Sequence, residues 1–162
     1  MKKRTPKTVQ RVQKLLKGIT VGMLTTRTAD GDTHSRPMLV QDVDDEGWLW
    51  FMTDRSSRKA WELSRNPNAS VVFQSPRGDR YLSVQGTAVV VQDDHKVGKI
   101  WNPTLRAWFP KGRHDPEIVL VALRIARVDY WLVPRSGLSR VAKALVTRRR
   151  YAAGGHGTLQ LA

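Results

Sequence analysis

The chain has no cysteine in its 162 residues. That excludes disulfides, thiolate metal sites, iron–sulfur clusters and every cysteine nucleophile. Histidine is almost as scarce: His34, His95, His114 and His156 lie far apart with no HxH or HxxxH pair, so hydrogen-bonded or solvated roles are expected and a metal site is not. No stretch approaches the roughly 18 consecutive apolar residues of a membrane span. Met1–Lys17 is basic and polar, without the apolar core of a signal peptide, so no membrane association and a cytoplasmic location are expected. Gly-rich loops of the GxGxxG and GxxxxGKS types and a GxSxG elbow are missing as well, which sets aside Rossmann and Walker nucleotide binding and the common hydrolase nucleophile.

Acid is the other scarcity, with 14 Asp and Glu against 28 Lys and Arg and a net charge of +14. Its placement matters more than its size. Residues 1–17 carry seven bases and no acid, and residues 135–162 carry six bases and no acid, so the body from 18 to 134 holds only +1. A nearly neutral body with two basic ends is not a folded face built to track phosphates. It predicts weak, salt-sensitive adhesion to polyanions through the ends. Length and a 40% apolar content fit one globular domain over 1–162, with a basic N-terminal helix at about 5–17 and a basic C-terminal extension at about 135–162.

Thr5-Pro6 reads as a helix start, with the Thr5 hydroxyl capping and Pro6 at the first helical position. Val9, Val12, Leu15 and Leu16 then recur at helical spacing up to Gly18. Extended segments follow at 19–27, 33–43, 48–53, 69–74, 80–92 and 118–133, separated by turns such as Ala29-Asp30-Gly31-Asp32 and Asp44-Asp45-Glu46-Gly47. A short helix carrying Ala60, Trp61 and Leu63 is expected after a cap at Asp54 or Ser56. Another helix follows Asp93-Asp94, Asn102–Asp115 is an irregular ring-rich loop, and Leu138–Thr147 is weakly helical before a Gly-rich end. Trp48, Trp50, Trp61 and Trp101 are expected in the core. The order predicts a mainly β fold, a six-stranded antiparallel barrel in meander order with peripheral helices.

Two segments carry candidate chemistry. In His34-Ser35-Arg36-Pro37-Met38-Leu39-Val40-Gln41 a proline sits inside an apparent strand, so this must be an edge or a place where pairing stops, with backbone groups left for a ligand. In Phe51-Met52-Thr53-Asp54-Arg55-Ser56-Ser57-Arg58-Lys59-Ala60 a strand runs into a helix start loaded with hydroxyls and cations, an arrangement suited to a phosphate monoester. Bases are unfavourable at a helix N-terminus, so Arg58 and Lys59 make better sense there with an anion between them.

With SRPM at 35–38, FMT and SRKA at 51–53 and 57–60, WNPTLRAWFPKG at 101–112, DYW at 129–131, AKALVT at 142–147 and GHGT at 155–158, the chain resembles the general stress protein 26 branch of the pyridoxamine 5′-phosphate oxidase-like, FMN-binding split-barrel proteins. Similarity runs from about Lys14 to the end. The resemblance implies a six-stranded split-barrel homodimer with FMN in clefts at the subunit interface and a possible NAD(P)H or other small-molecule reductant. By position it implies that Arg36, Pro37, Met38, Leu39 and Gln41 border the flavin ring, and that Met52 and Thr53 run along ring and ribityl chain. It assigns the phosphate to Ser57, Arg58 and Lys59, and to Trp131 a reach to the partner's flavin. Trp108 and Phe109 either cover the ring or belong to the dimer core.

The match has gaps. Oxidases of pyridoxamine phosphate resemble one another in a C-terminal Arg-x-His, whereas Trp131 here is followed by Pro134-Arg135-Ser136-Gly137-Leu138-Ser139-Arg140, so that oxidase activity is not expected. No catalytic residue stands out. Alternatives left open are another cofactor in the same barrel (FAD, a deazaflavin or haem) and a non-enzymatic module whose basic termini bind nucleic acid or an acidic partner.

Overall fold

The computed structural model describes residues 5–133 and 155–161. Along the chain come helix α1 (Lys7–Leu16), strands β1 (Val21–Arg27), β2 (Thr33–Val43) and β3 (Trp48–Asp54), helix α2 (Arg58–Arg65), and strands β4 (Asn68–Gln74) and β5 (Arg80–Val91). Helix α3 (Asp94–Ile100), a 3₁₀ turn (Pro103–Ala107), and strands β6 (Ile118–Leu132) and β7 (Gly155–Gln160) complete it. The strands pair antiparallel in the order β3-β2-β1-β4-β5-β6-β7, and an additional β3–β6 ladder closes the first six into the expected barrel.

The order is not a meander. After β3 the chain crosses through α2 to β4, which pairs with β1 rather than β3. The Gly-rich end adds a strand that was not expected: β7 lies along the β6 edge that β3 vacates, with residues 118–124 of β6 paired to β3 and 127–132 to β7. Gly157 permits that approach, because a Cβ there would run into the Tyr130 ring and hydroxyl. The expected helix at 138–147 lies outside the described residues.

The interior is aliphatic with a few rings: Leu24, Leu49, Phe51, Phe73, Leu82 and Leu123 have no exposed surface. Val12, Leu15 and Leu16 of α1 join the same core. Alternation explains why the tryptophans do not. Leu49 and Phe51 point inward from β3, so Trp48 and Trp50 stand outside, half-buried. Trp61 is 45% exposed beneath the Arg65 guanidinium, and Trp101 is half-buried beside a second cluster of Met52, Val97, Leu105, Phe109, Ile118 and Leu120 on the outer wall.

Caps also differ from expectation. Pro6 itself is the α1 N-cap and no side chain caps the helix; the Thr5 carbonyl accepts from Gln10 Nε2 instead. Ser57 caps α2, while Asp54 accepts from the Ser56 N–H and hydroxyl in the preceding turn.

Candidate functional site

Strands β2 and β3 pair only from Val40↔Phe51 onward, past a register shift before Asp42. Residues 33–39 of β2 pair with β1 alone, while β3 continues to Asp54 along β6. Val40 donates its N–H to Thr20 on the β1 side (2.9 Å), so strand alternation turns the backbone nitrogens of residues 37 and 39 toward the unpaired side. The proline therefore breaks no ladder bond. The two strands part around it, as the sequence reading required, and between them lies a cavity of about 490 Å³.

Its walls come from β2, β3, the α2 entrance and the 3₁₀ turn. Pro37, Met38, Leu39 and Met52 make an apolar side, closed by Leu105 and Phe109 from the second core cluster and by Trp108, which is 62% exposed at the rim. Gln41 also lines it, accepting from Asn102 Nδ2 (3.4 Å) and donating to the Leu39 carbonyl (3.2 Å).

The other side is polar and cationic, formed by Arg36, Thr53, Ser57 and Lys59. Lys59 Nζ donates to Thr53 Oγ1 (2.9 Å), and that hydroxyl donates to Ser57 Oγ (3.2 Å). Burial pushes the Lys59 ammonium below its ordinary pKa and the nearby Arg36 charge adds to this, only partly offset by Asp54 and Glu62. Two positive groups and two hydroxyls lining one half-buried recess suit an anion.

Behind Arg36 stands a residue that sequence reasoning missed. Glu62 of α2 has a fully buried side chain, and its Oε2 accepts from Arg36 Nη2 (2.7 Å) and from Thr26 Oγ1 (2.5 Å). Burial pushes this carboxyl upward, but the hydrogen bonds from Thr26, Arg36 and Arg58 and the charge of Arg36 outweigh it and hold it below the usual range. The signal in the sequence was slight: an Arg58–Glu62 spacing of four on a short helix.

The structure brings together eleven of the residues singled out in the sequence: Arg36, Pro37, Met38, Leu39, Gln41, Met52, Thr53, Ser57, Lys59, Trp108 and Phe109, with Val21, Asp54 and Leu105 beside them. Two stand elsewhere. Arg58 donates to Glu62 Oε1 (2.8 Å) with 64% of its side chain exposed, so this base at the helix start has a carboxylate partner within α2. Trp131 lies on the outer face of β6, 43% exposed and stacked on His156.

The fold is thus a closed antiparallel barrel with a half-apolar, half-cationic cleft where two of its strands separate. Residues 7–152 match the family model described as pyridoxamine 5′-phosphate oxidase like, and the chain belongs to that family. Protein bli-3 of Neurospora crassa is 28% identical over 130 residues, which are 74% of this chain and 62% of that protein. The chain thus spans less than two thirds of this relative. Among solved structures it is similar to general stress protein 26 of Bacillus anthracis, with 28% identity, TM-score 0.68, and coverage of 75% of this chain and 92% of that one. It is also similar to the general stress FMN/FAD binding protein of Xanthomonas citri, with 29% identity, TM-score 0.69, and coverage of 80% and 92%.

Proposed function

We propose that this chain binds FMN in the cleft between β2 and β3 and serves as a flavin-dependent oxidoreductase or flavin carrier of the general stress protein type. The observation that carries the reading is the division of the cleft. A planar ring system fits the apolar side of Met38, Leu39, Met52 and Phe109, and a phosphate monoester fits the recess of Arg36, Ser57 and Lys59. The donors suit that group: beyond its bond to Thr53, Lys59 has two N–H without a partner among the described residues. Bound flavin would supply hydride and electron chemistry, and the chain's residues bind it, orient it and limit solvent. A riboflavin without its phosphate leaves the cations unanswered, and haem finds no histidine in the lining among the described residues. FAD uses the same recess, so FMN is the simplest occupant.

A second copy of the chain fits the exposed outer face beside the cleft. Met23 stands in register between Pro37 and Val72, and Tyr81 stands opposite Trp131. Val21, Met23, Val72 and Trp131 are each more than 40% exposed. Apolar side chains grouped so on a sheet face are the mark of an interface, and Val21 and Pro37 carry this one into the cleft wall. The test is the visible spectrum after incubation with FMN and gel filtration. A two-band flavin spectrum at about one FMN per chain, reducible by NADH or NADPH, is expected; a folded protein that elutes without flavin refutes the reading.

A further inference from the structure

Thr26 lies opposite His34 and Leu24 opposite Arg36 in the β1–β2 register. All four therefore share the face on which Leu24 enters the barrel core, and α2 lays Glu62 across them. Arg36 has five N–H donors. Nη2 spends both of its hydrogens, on His34 Nδ1 (2.7 Å) and Glu62 Oε2 (2.7 Å), and Nη1 spends one on Thr26 Oγ1 (2.5 Å). Nε–H and one Nη1–H are left without a partner among the described residues, on a side chain that is 13% exposed and lines the cleft. The guanidinium is thus held by three groups that do not line the cleft themselves.

We propose that Glu62 is a positioning residue: together with Thr26 and His34 it fixes the Arg36 guanidinium so that a remaining donor serves a phosphorylated ligand in the cleft, and it sets the affinity for that ligand without touching it. The proposal rests on the FMN reading above. A carboxylate placed here solely as a counter-charge would act in the opposite sense. It repels an anionic ligand through the low-dielectric wall, so neutralising it would tighten binding. A purely structural carboxylate would, when replaced, weaken phosphorylated and unphosphorylated flavins alike.

These alternatives separate in a double-mutant cycle on the full chain, with FMN and riboflavin titrated by flavin fluorescence and folding followed by circular dichroism. Glu62→Gln keeps the shape and removes the charge. It should weaken FMN binding about tenfold, change riboflavin binding by less than about twofold, and have almost no further effect when Arg36 is already Ala. Equal or tighter FMN binding by Glu62→Gln, or the same loss with and without Arg36, overturns the proposal. Should Glu62→Gln not fold, Thr26→Val removes the hydroxyl shared by Glu62 and Arg36 and enters the same cycle, where additivity with Arg36→Ala is again refutation. A wild-type protein that retains no FMN overturns the underlying reading and the proposal with it. Wild-type binding beside an unaffected variant overturns the proposal alone.

Discussion

Replacing Lys59 with Met gives two effects of opposite sign. The methionine keeps an unbranched side chain in a half-buried position and removes one cation and its bond to Thr53. An ammonium that meets a phosphate oxygen contributes one charge-assisted hydrogen bond, about 1.5–3 kcal/mol. At about 1.4 kcal/mol per decade, FMN affinity should fall about 10- to 150-fold. Riboflavin affinity should move less than about threefold, because the lost partner is the phosphate. Stability of the ligand-free protein should not fall with it. Burial and the Arg36 charge depress the Lys59 pKa, so charging this group costs folding free energy at neutral pH. Where the folded pKa lies below the unfolded one, the unfolded chain binds more protons and stability rises with pH. The wild type should therefore gain stability as pH climbs toward the ordinary lysine value of 10.5, and Lys59→Met should lack that gain while melting at or above the wild-type temperature near pH 7. Fluorescence titration with both flavins and a pH series of thermal melts read the two effects. Equal losses for FMN and riboflavin, or a ligand-free variant markedly less stable than the wild type, would refute the anion-receptor argument.

Gly86→Ala should cost at least about 3 kcal/mol in a urea titration, because a Cβ at this register shift would fall on the Arg124 carbonyl of the adjoining strand. The pH dependence of stability should change for Glu62→Gln on the acid side. The folded-state pKa of Glu62 is depressed, so its contribution is complete above the ordinary 4.5 and is lost as pH falls through the folded value, and the variant should unfold with a shallower acid slope than the wild type. Met23→Glu combined with Val72→Glu, which sets like charges opposite each other on the outer face, should give monomers by light scattering and release FMN if the partner copy completes the cleft. Arg58→Ala should weaken FMN binding less than Lys59→Met does, because the arginine is turned to Glu62 rather than to the cleft, and the same titration decides it.

The barrel was legible because its signals are local. Runs of β-branched and large apolar residues in β3, β4 and β5 and glycine turns such as Gly31 and Gly47, both at positive φ, mark strand and turn without reference to distant residues. Partner choice is not local. Nothing in 68–74 says that it pairs with β1 rather than with the preceding β3, since that depends on how far α2 carries the chain across the barrel end. β7 was obscured for a different reason. Its two glycines weaken strand propensity, and at Gly157 the glycine is required because a Cβ would strike the Tyr130 ring. The tryptophans were misplaced because size was weighed above phase: on β3 the inward positions belong to Leu49 and Phe51.

At the site, the two segments were legible because each breaks a rule of its own element, a proline within a strand and bases at a helix start. What the sequence could not resolve was the division of labour between neighbours. Successive residues on a helix point about 100° apart, so Arg58 and Lys59 cannot both face one recess merely because they are adjacent. Lys59 meets Thr53 at the cleft, and Arg58 folds back along α2 to Glu62. The carboxylate that binds Arg58 binds Arg36 through its other oxygen, so a helix residue and a strand residue 22 positions apart share one buried anion. A residue at this position is invisible to motif reading, because its partners are set by where α2 crosses the barrel. Once the crossing is known its charge is required: Arg36 is nearly buried, and without Glu62 its guanidinium would keep only a hydroxyl and an imidazole as partners among the described residues.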